Sequence, residues 1–124
     1  MSGDIGKIGW FDLTVEDAPA IRDFYSKVVG WKSEDVQMGE YSDFNMTMPE
    51  SGDPAAGICH AKGDNAGMPS HWLIYITVAD IDKSVEACRE NGGKVIVGPK
   101  SMGDAMLCVV EDPIGAVAAL YQSG

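Results

Sequence analysis

Two histidines, one strand carboxylate and a few aromatics are the side chains in this sequence whose chemistry could reach beyond folding. His60 carries an imidazole, which reads as an acid–base group or a ligand contact; the competing reading is a strand histidine at the sheet surface. His71 lies two residues before Leu73 and shares its face, so His60 and His71, with a third donor such as Glu111, make an unorthodox metal site thinkable. Asp12 sits in Trp10-Phe11-Asp12-Leu13-Thr14-Val15 on the face of Trp10 and Thr14, opposite Phe11, Leu13 and Val15. A carboxylate there orients a cationic or hydroxylated ligand, or acts as a base if desolvation raises its pKa; otherwise it bonds neighbouring strand groups. Cys59, Cys88 and Cys108 are far apart inside apolar patterns, so they read as reduced and buried rather than as a metal or disulfide set. No Gly-rich phosphate cradle follows a strand, and the sequence argues for no Ser-His-Asp or Cys-His pairing.

The elements that position these residues come from a repeat. Trp72-Leu73-Ile74-Tyr75-Ile76-Thr77-Val78 is rich in β-branched and aromatic residues, and it runs into Asp80, a good helix cap. From there Ile81, Val85 and Cys88 make a helical stripe that Asn91-Gly92-Gly93 ends. Earlier, strand Lys7 to Val15 leads to Asp17, a stripe of Ile21, Phe24, Tyr25 and Val28, and a stop at Gly30. Thr14-Val15-Glu16-Asp17 overlies Thr77-Val78-Ala79-Asp80, and Gly30 overlies Gly93, at one offset of 63 residues in a chain of 124. A period of half the chain means two copies of one supersecondary unit that share a core.

The spacing predicts helices at 17–29 and 80–91. After the first come strands 31–38 and 41–48 as a hairpin around Gly39-Glu40, then a short strand 55–61. Lys62 to Ser70 is polar and Gly-rich, and reads as a linker. The second half continues with strands 94–97, 105–110 and 116–122, a loop from Pro99 to Asp104, and the turn Asp112-Pro113-Ile114-Gly115. The expected organisation is one α+β domain over residues 1–124, with βαβββ modules at about 5–61 and 71–122 and the linker at 62–70.

Nine basic residues against nineteen acidic ones give a net charge of −10, which repels phosphate backbones and anionic lipid. Nucleic acid and membrane are therefore excluded as expected partners. No apolar run approaches the roughly 20 residues of a bilayer span, and Met1-Ser2-Gly3-Asp4 lacks the features of a secretion signal. With unpaired cysteines, this points to the cytoplasm.

Trp10 to Asp17, Phe24-Tyr25, Gly30-Trp31, His71 to Asp80, Gly92-Gly93-Lys94-Val95 and Glu111-Asp112-Pro113-Ile114-Gly115-Ala116 together resemble the vicinal oxygen chelate superfamily of glyoxalases, bleomycin resistance proteins and extradiol dioxygenases. The resemblance implies curved mixed sheets around a cavity, with the helices outside. By parity, Trp10, Asp12, Tyr75 and Tyr121 then look into the cavity, where aromatics supply stacking area. In metal-using members the ion is held by residues from the first and last strand of each module, usually His, Glu or Gln. Here those positions are Trp10, Leu73 and Ala119, and the fourth is His60 or Ala61 depending on how the strands are aligned. One imidazole does not hold a catalytic divalent ion, so neither a metal nor another cofactor is expected.

The expected function is a metal-independent binder that takes up or sequesters a small organic molecule, whether or not it also turns it over. Trp10, Asp12, His60, Tyr75 and Tyr121 are the candidate ligand contacts. Two alternatives stay open: a metal-dependent lyase or dioxygenase with relocated ligands, and a ligand-free homodimeric interaction module. Homodimer formation is expected in any case, since small curved sheets expose edge strands.

Overall fold

The computed structural model describes residues 4–124; Met1, Ser2 and Gly3, read above for a leader, lie outside the described residues. The element order is β1 (Ile8–Val15), α1 (Ala18–Val29), β2 (Lys32–Gln37), β3 (Ser42–Thr47), β4 (Pro54–His60), a short 3-10 turn (Gly63–Asn65), β5 (Trp72–Thr77), α2 (Ile81–Glu90), β6 (Lys94–Met102), β7 (Ala105–Glu111) and β8 (Val117–Gln122). This is βαβββ twice, the expected α+β class. The chain divides into two compact units, Phe11–Trp72 and residues 4–10 with Leu73–Gly124, so the cut passes through β1.

In the unit Phe11–Trp72, β2, β3 and β4 run antiparallel and β4 pairs in parallel with β1. Asp17 caps α1, its carboxylate accepting from Ala20 N at 3.2 Å, and Pro19 is harmless where amides lack helical partners. Gly30 ends the helix in the left-handed region at φ 90°, donating its N–H to Ser26 O. Ala18 of α1 packs on Phe44, Met46 and Ile58, with Val15, Ile21, Tyr25 and Trp31 around them. The helix row that meets the sheet is therefore Ala18, Ile21 and Tyr25. Phe24 and Val28, expected on the same stripe, are 52% and 64% exposed, because one flat contact with a sheet accommodates a narrower row than the apolar spacing offers. The linker also departs from expectation at one residue: Met68 is buried.

In the second unit, residues 6 and 7 bond along β5 through Gly6 N to Thr77 O and Thr77 N to Lys7 O. Beyond β5 the order is β8, β7, β6. Ile81 and Val85 of α2 bury against Cys108, with Val78, Val95, Met106, Val110 and Leu120 completing the cluster. Fully burying side chains of this kind contributes about 1.5–3 kcal/mol each.

Strand β6 corrects the expectation of a short strand followed by a loop from Pro99. It continues to Met102, with register shifts between Val95 and Val97 and between Val97 and Lys100. Pro99 lies in the second shift of a strand at the end of its sheet, where a missing N–H leaves no ladder partner wanting. Gly98 precedes it at φ 82°, and a Cβ there would come within 2.7 Å of Leu107 O.

Candidate functional site

In the unit Phe11–Trp72 the two faces of the sheet differ in kind. Val15 packs toward α1, and Leu13 lines a cleft with Ile21 and Tyr25 of that helix, so alternation turns Asp12 and Thr14 to the opposite face. Both are buried, at 9% and 2% exposure. The parallel register sets Thr14 beside Cys59 and brings the Cys59 thiol to the same face as Asp12. There it donates to Asp12 at 3.5 Å to Oδ1 and 3.7 Å to Oδ2. Burial above all, then the charges of Asp12 and Asp43, push the Cys59 thiol far above its ordinary range. A thiol held protonated is a hydrogen-bond donor and a poor nucleophile.

Asp43 connects this group to His60. The ladder between β3 and β4 runs from Thr47 and Pro54 to Phe44 and Ile58. Beyond it the Asp43 carboxylate takes over, Oδ1 accepting the backbone N–H of His60 at 2.8 Å and standing 3.2 Å from its ring Nδ1. Both residues are buried, Asp43 at 5% and His60 at 8% exposure. The imidazole stands 5.1 Å from the Tyr41 ring and 6.2 Å from that of Phe44, over which the Arg22 guanidinium lies at 4.6 Å. By strand parity His60 shares the side of Ile58 rather than that of Cys59, and Asp43 links it to the Asp12 side. The structure thus joins two of the expected residues, Asp12 and His60, through Cys59, which the sequence reads only as a reduced, buried thiol, and through Asp43, which it does not single out.

The other unit carries a different surface. On the face of its sheet away from α2, Leu73, Tyr75, Leu107, Val109 and Ala119 are buried, and the register pairs Tyr75 with Ala119 and Thr77 with Tyr121. Tyr121 and Trp10 are half-buried. Tyr75 and Tyr121 do share one face as expected. Where the first unit sets Asp12 and Cys59, this one sets Tyr75 and Tyr121, so duplication has kept the strands and exchanged polar for apolar chemistry.

The unit Phe11–Trp72 also holds an aromatic group outside the expected site residues. Tyr25, Trp31 and Trp72 contact one another at ring separations of 5.4–6.1 Å, and Phe24 meets Tyr25 edge-on at 5.1 Å. Phe24, Tyr25 and Trp72 border a cleft of about 490 Å³ that Leu13, Val15 and His71 also line, among others. The quoted Phe24-Tyr25, Gly30-Trp31 and His71-Trp72 pairs held the signal, but their convergence depends on α1 lying beside the start of β5. His71 belongs to this cleft and His60 to the Asp43 group, so the two histidines are not brought together. Among the described residues no set of three His, Cys, Asp or Glu side chains is placed to hold a metal.

The register also decides the strand alignment left open above. Asp12 pairs with Gly57 on β4, and Tyr75, its counterpart at the 63-residue offset, pairs with Ala119 on β8. The β4 position matching Ala119 is therefore Gly57, neither His60 nor Ala61. Trp10, Gly57, Leu73 and Ala119 supply no oxygen, sulfur or imidazole donor from a side chain, so the residues do not fit the superfamily's metal ion.

Relatives agree with this architecture. The chain is 32% identical to CFP32 of Mycobacterium tuberculosis, a provisionally named glyoxylase, and 29% identical to the anthracycline biosynthesis protein DnrV of Streptomyces peucetius. These matches cover 95% and 96% of the chain, which spans only 46% and 48% of those proteins. The uncharacterized protein YurT of Bacillus subtilis is 27% identical, over 94% of the chain and 98% of its own length. Among solved structures, a superfamily member from Vibrio splendidus superposes with a TM-score of 0.59 at 15% identity, covering 92% of this chain and 97% of that one. Methylmalonyl-CoA epimerase from Mycobacterium tuberculosis gives 0.58 at 13% identity, covering 100% and 93%. Among the described residues no helix is long and apolar enough to cross a membrane. A family model matches residues 7–120, and the chain belongs to the Glyoxalase/Bleomycin resistance protein/Dioxygenase superfamily.

Proposed function

We propose that this chain is a metal-independent member of its superfamily that binds or sequesters a small organic molecule, with Asp12 and His60 among the ligand contacts. The observation that supports the reading is the strand register, which matches Gly57 to Ala119; neither has a side-chain donor, nor do Trp10 and Leu73, the first-strand positions the resemblance implies. A Lewis-acid route to a stabilised enediolate or catecholate needs several such donors, and a buried carboxylate and imidazole need none. The curated relative named for anthracycline biosynthesis supports a small organic ligand. The net charge of −10 supports a reading without nucleic acid or anionic membrane as partner. Free Cys59, Cys88 and Cys108 support a reducing, cytoplasmic setting, and a homodimer is the proposed assembly.

Two measurements test this. Metal analysis of protein purified without chelator is expected to find no stoichiometric divalent ion; an ion that disappears in His60→Ala would reverse the reading. A thermal-shift screen of aromatic, hydroxylated and cationic small molecules is expected to yield a stabilising compound whose effect falls in Asp12→Ala. At one hundred times its dissociation constant such a ligand adds about 2.7 kcal/mol. A full screen without a shift would favour the interaction module instead.

A further inference from the structure

The Asp43–His60 contact has a chemical consequence for what the site accepts. Asp43 Oδ1 receives the backbone N–H of His60 at 2.8 Å and lies 3.2 Å from ring Nδ1. An ionised carboxylate only accepts, so a bare Nδ1 lone pair facing it would be repelled, whereas Nδ1–H is held. We propose that Asp43 is a positioning residue that fixes neutral His60 in the Nδ1–H form, leaving Nε2 as an acceptor, so that the site takes ligands that donate hydrogen bonds. The ligand class rests on the functional reading above; the role of Asp43 does not.

The surroundings agree. Tyr41, beside the imidazole, directs its hydroxyl to Lys62 O at 3.3 Å. Hydroxylated or amine-bearing molecules complement a bare Nε2, whereas carboxylates meet it acceptor against acceptor. The Asp43 contact also constrains the ring mechanically: a backbone bond and a side-chain bond to one oxygen leave little freedom to the imidazole plane.

Long-range proton–nitrogen correlation spectra of the nitrogen-15-labelled chain, taken at a pH where the ring is neutral, read the tautomer directly. The expected result is Nδ1–H with bare Nε2 in the native chain and in Asp43→Asn, whose amide oxygen still accepts. In Asp43→Ala the ring is expected to drift toward Nε2–H, the form favoured by free imidazole side chains in water. Nε2–H in the native chain, or an unchanged ring in Asp43→Ala, would overturn the assignment. If Asp43→Ala does not fold, the native and Asn spectra still decide it. Benzyl alcohol, benzylamine and benzoate then probe the ligand class: the first two are expected to move the Nε2 signal and benzoate to leave it. A response to benzoate alone overturns the donor preference. Silence to all three, with Nδ1–H intact, counts against the pocket reading and leaves the role of Asp43 standing.

Discussion

The indole N–H of Trp72 donates to the hydroxyl of Tyr25 over 3.0 Å, tying the start of β5 to α1 across 47 residues of sequence. Their rings stand 5.4 Å apart and nearly perpendicular, at 80°, so the bond fixes an edge-to-face pair that also contacts Trp31. Trp72 is 38% exposed, and water competes for the polar tips. Tyr25→Phe is therefore expected to cost about 0.5–1.5 kcal/mol, toward the lower end. A double-mutant cycle with Trp72→Phe, followed by urea unfolding, should show the two changes to be non-additive. Simple additivity would mean that the bond contributes nothing in solution.

Cys59 makes stability fall on the alkaline side. Burial, then the carboxylates of Asp12 and Asp43, raise its folded pKa above the ordinary value of 9.0. The folded chain keeps a proton that the unfolded chain releases. The stability this represents is fully present below the unfolded pKa and is lost as pH rises from there toward the folded value, at no more than about 1.4 kcal/mol per pH unit. Urea midpoints measured from neutral to strongly alkaline pH should decline less steeply in Cys59→Ala than in the native chain. Equal slopes would contradict the buried environment. In the folded protein at neutral pH, Cys59 should also react with Ellman's reagent much more slowly than in urea.

What could be read from the sequence, and what could not, follows the range of each interaction. The Asp17 and Asp80 caps, the Gly30 stop and the repeat offset are local signals, so the βαβββ order was legible from them. The sequence reads only 94–97 as a strand because Pro99 marks a loop, and only the pairing with β7 shows that a bulge absorbs the proline. Gly57 could not be identified as the partner of Asp12, since parallel register leaves no mark in either strand alone. In the sequence Asp43 is one acid among many; its bond to His60 spans 17 residues and has no periodicity to announce it. Half of the polar network was therefore visible as residue types and half only as geometry.

Gly93 is a close-packing position, and its replacement should be costly. A Cβ there would stand 2.6 Å from Cys88 Sγ, 2.9 Å from Glu111 O and 3.1 Å from Cys88 O. Two of those atoms are backbone, so the clash cannot be relieved by a rotamer change alone. Gly93→Ala is expected to destabilise by about 1–3 kcal/mol, the usual cost of overpacking. Adding Cys88→Ala removes the sulfur but not the two carbonyls, so it should recover only part of the loss in a thermal melt. Full recovery would place all the strain on the thiol.

The two helix caps are the same residue at matching positions of the repeat, yet they should differ in worth. Asp80 Oδ1 accepts from Asp82 N at 3.1 Å and from Lys83 N at 3.2 Å, while Asp17 Oδ1 accepts from Ala20 N alone at 3.2 Å. The difference lies at the second helical position, where Pro19 has no N–H to give and Asp82 does. Ala substitution at a cap costs about 0.5–2 kcal/mol. Asp80→Ala should fall in the upper half of that range and Asp17→Ala in the lower. Restoring a donor with Pro19→Ala should widen the cost of Asp17→Ala toward that of Asp80→Ala, as measured by urea unfolding of the single and double variants. If Asp17→Ala costs the same with or without Pro19, the count of capped amides is not what separates the two helices.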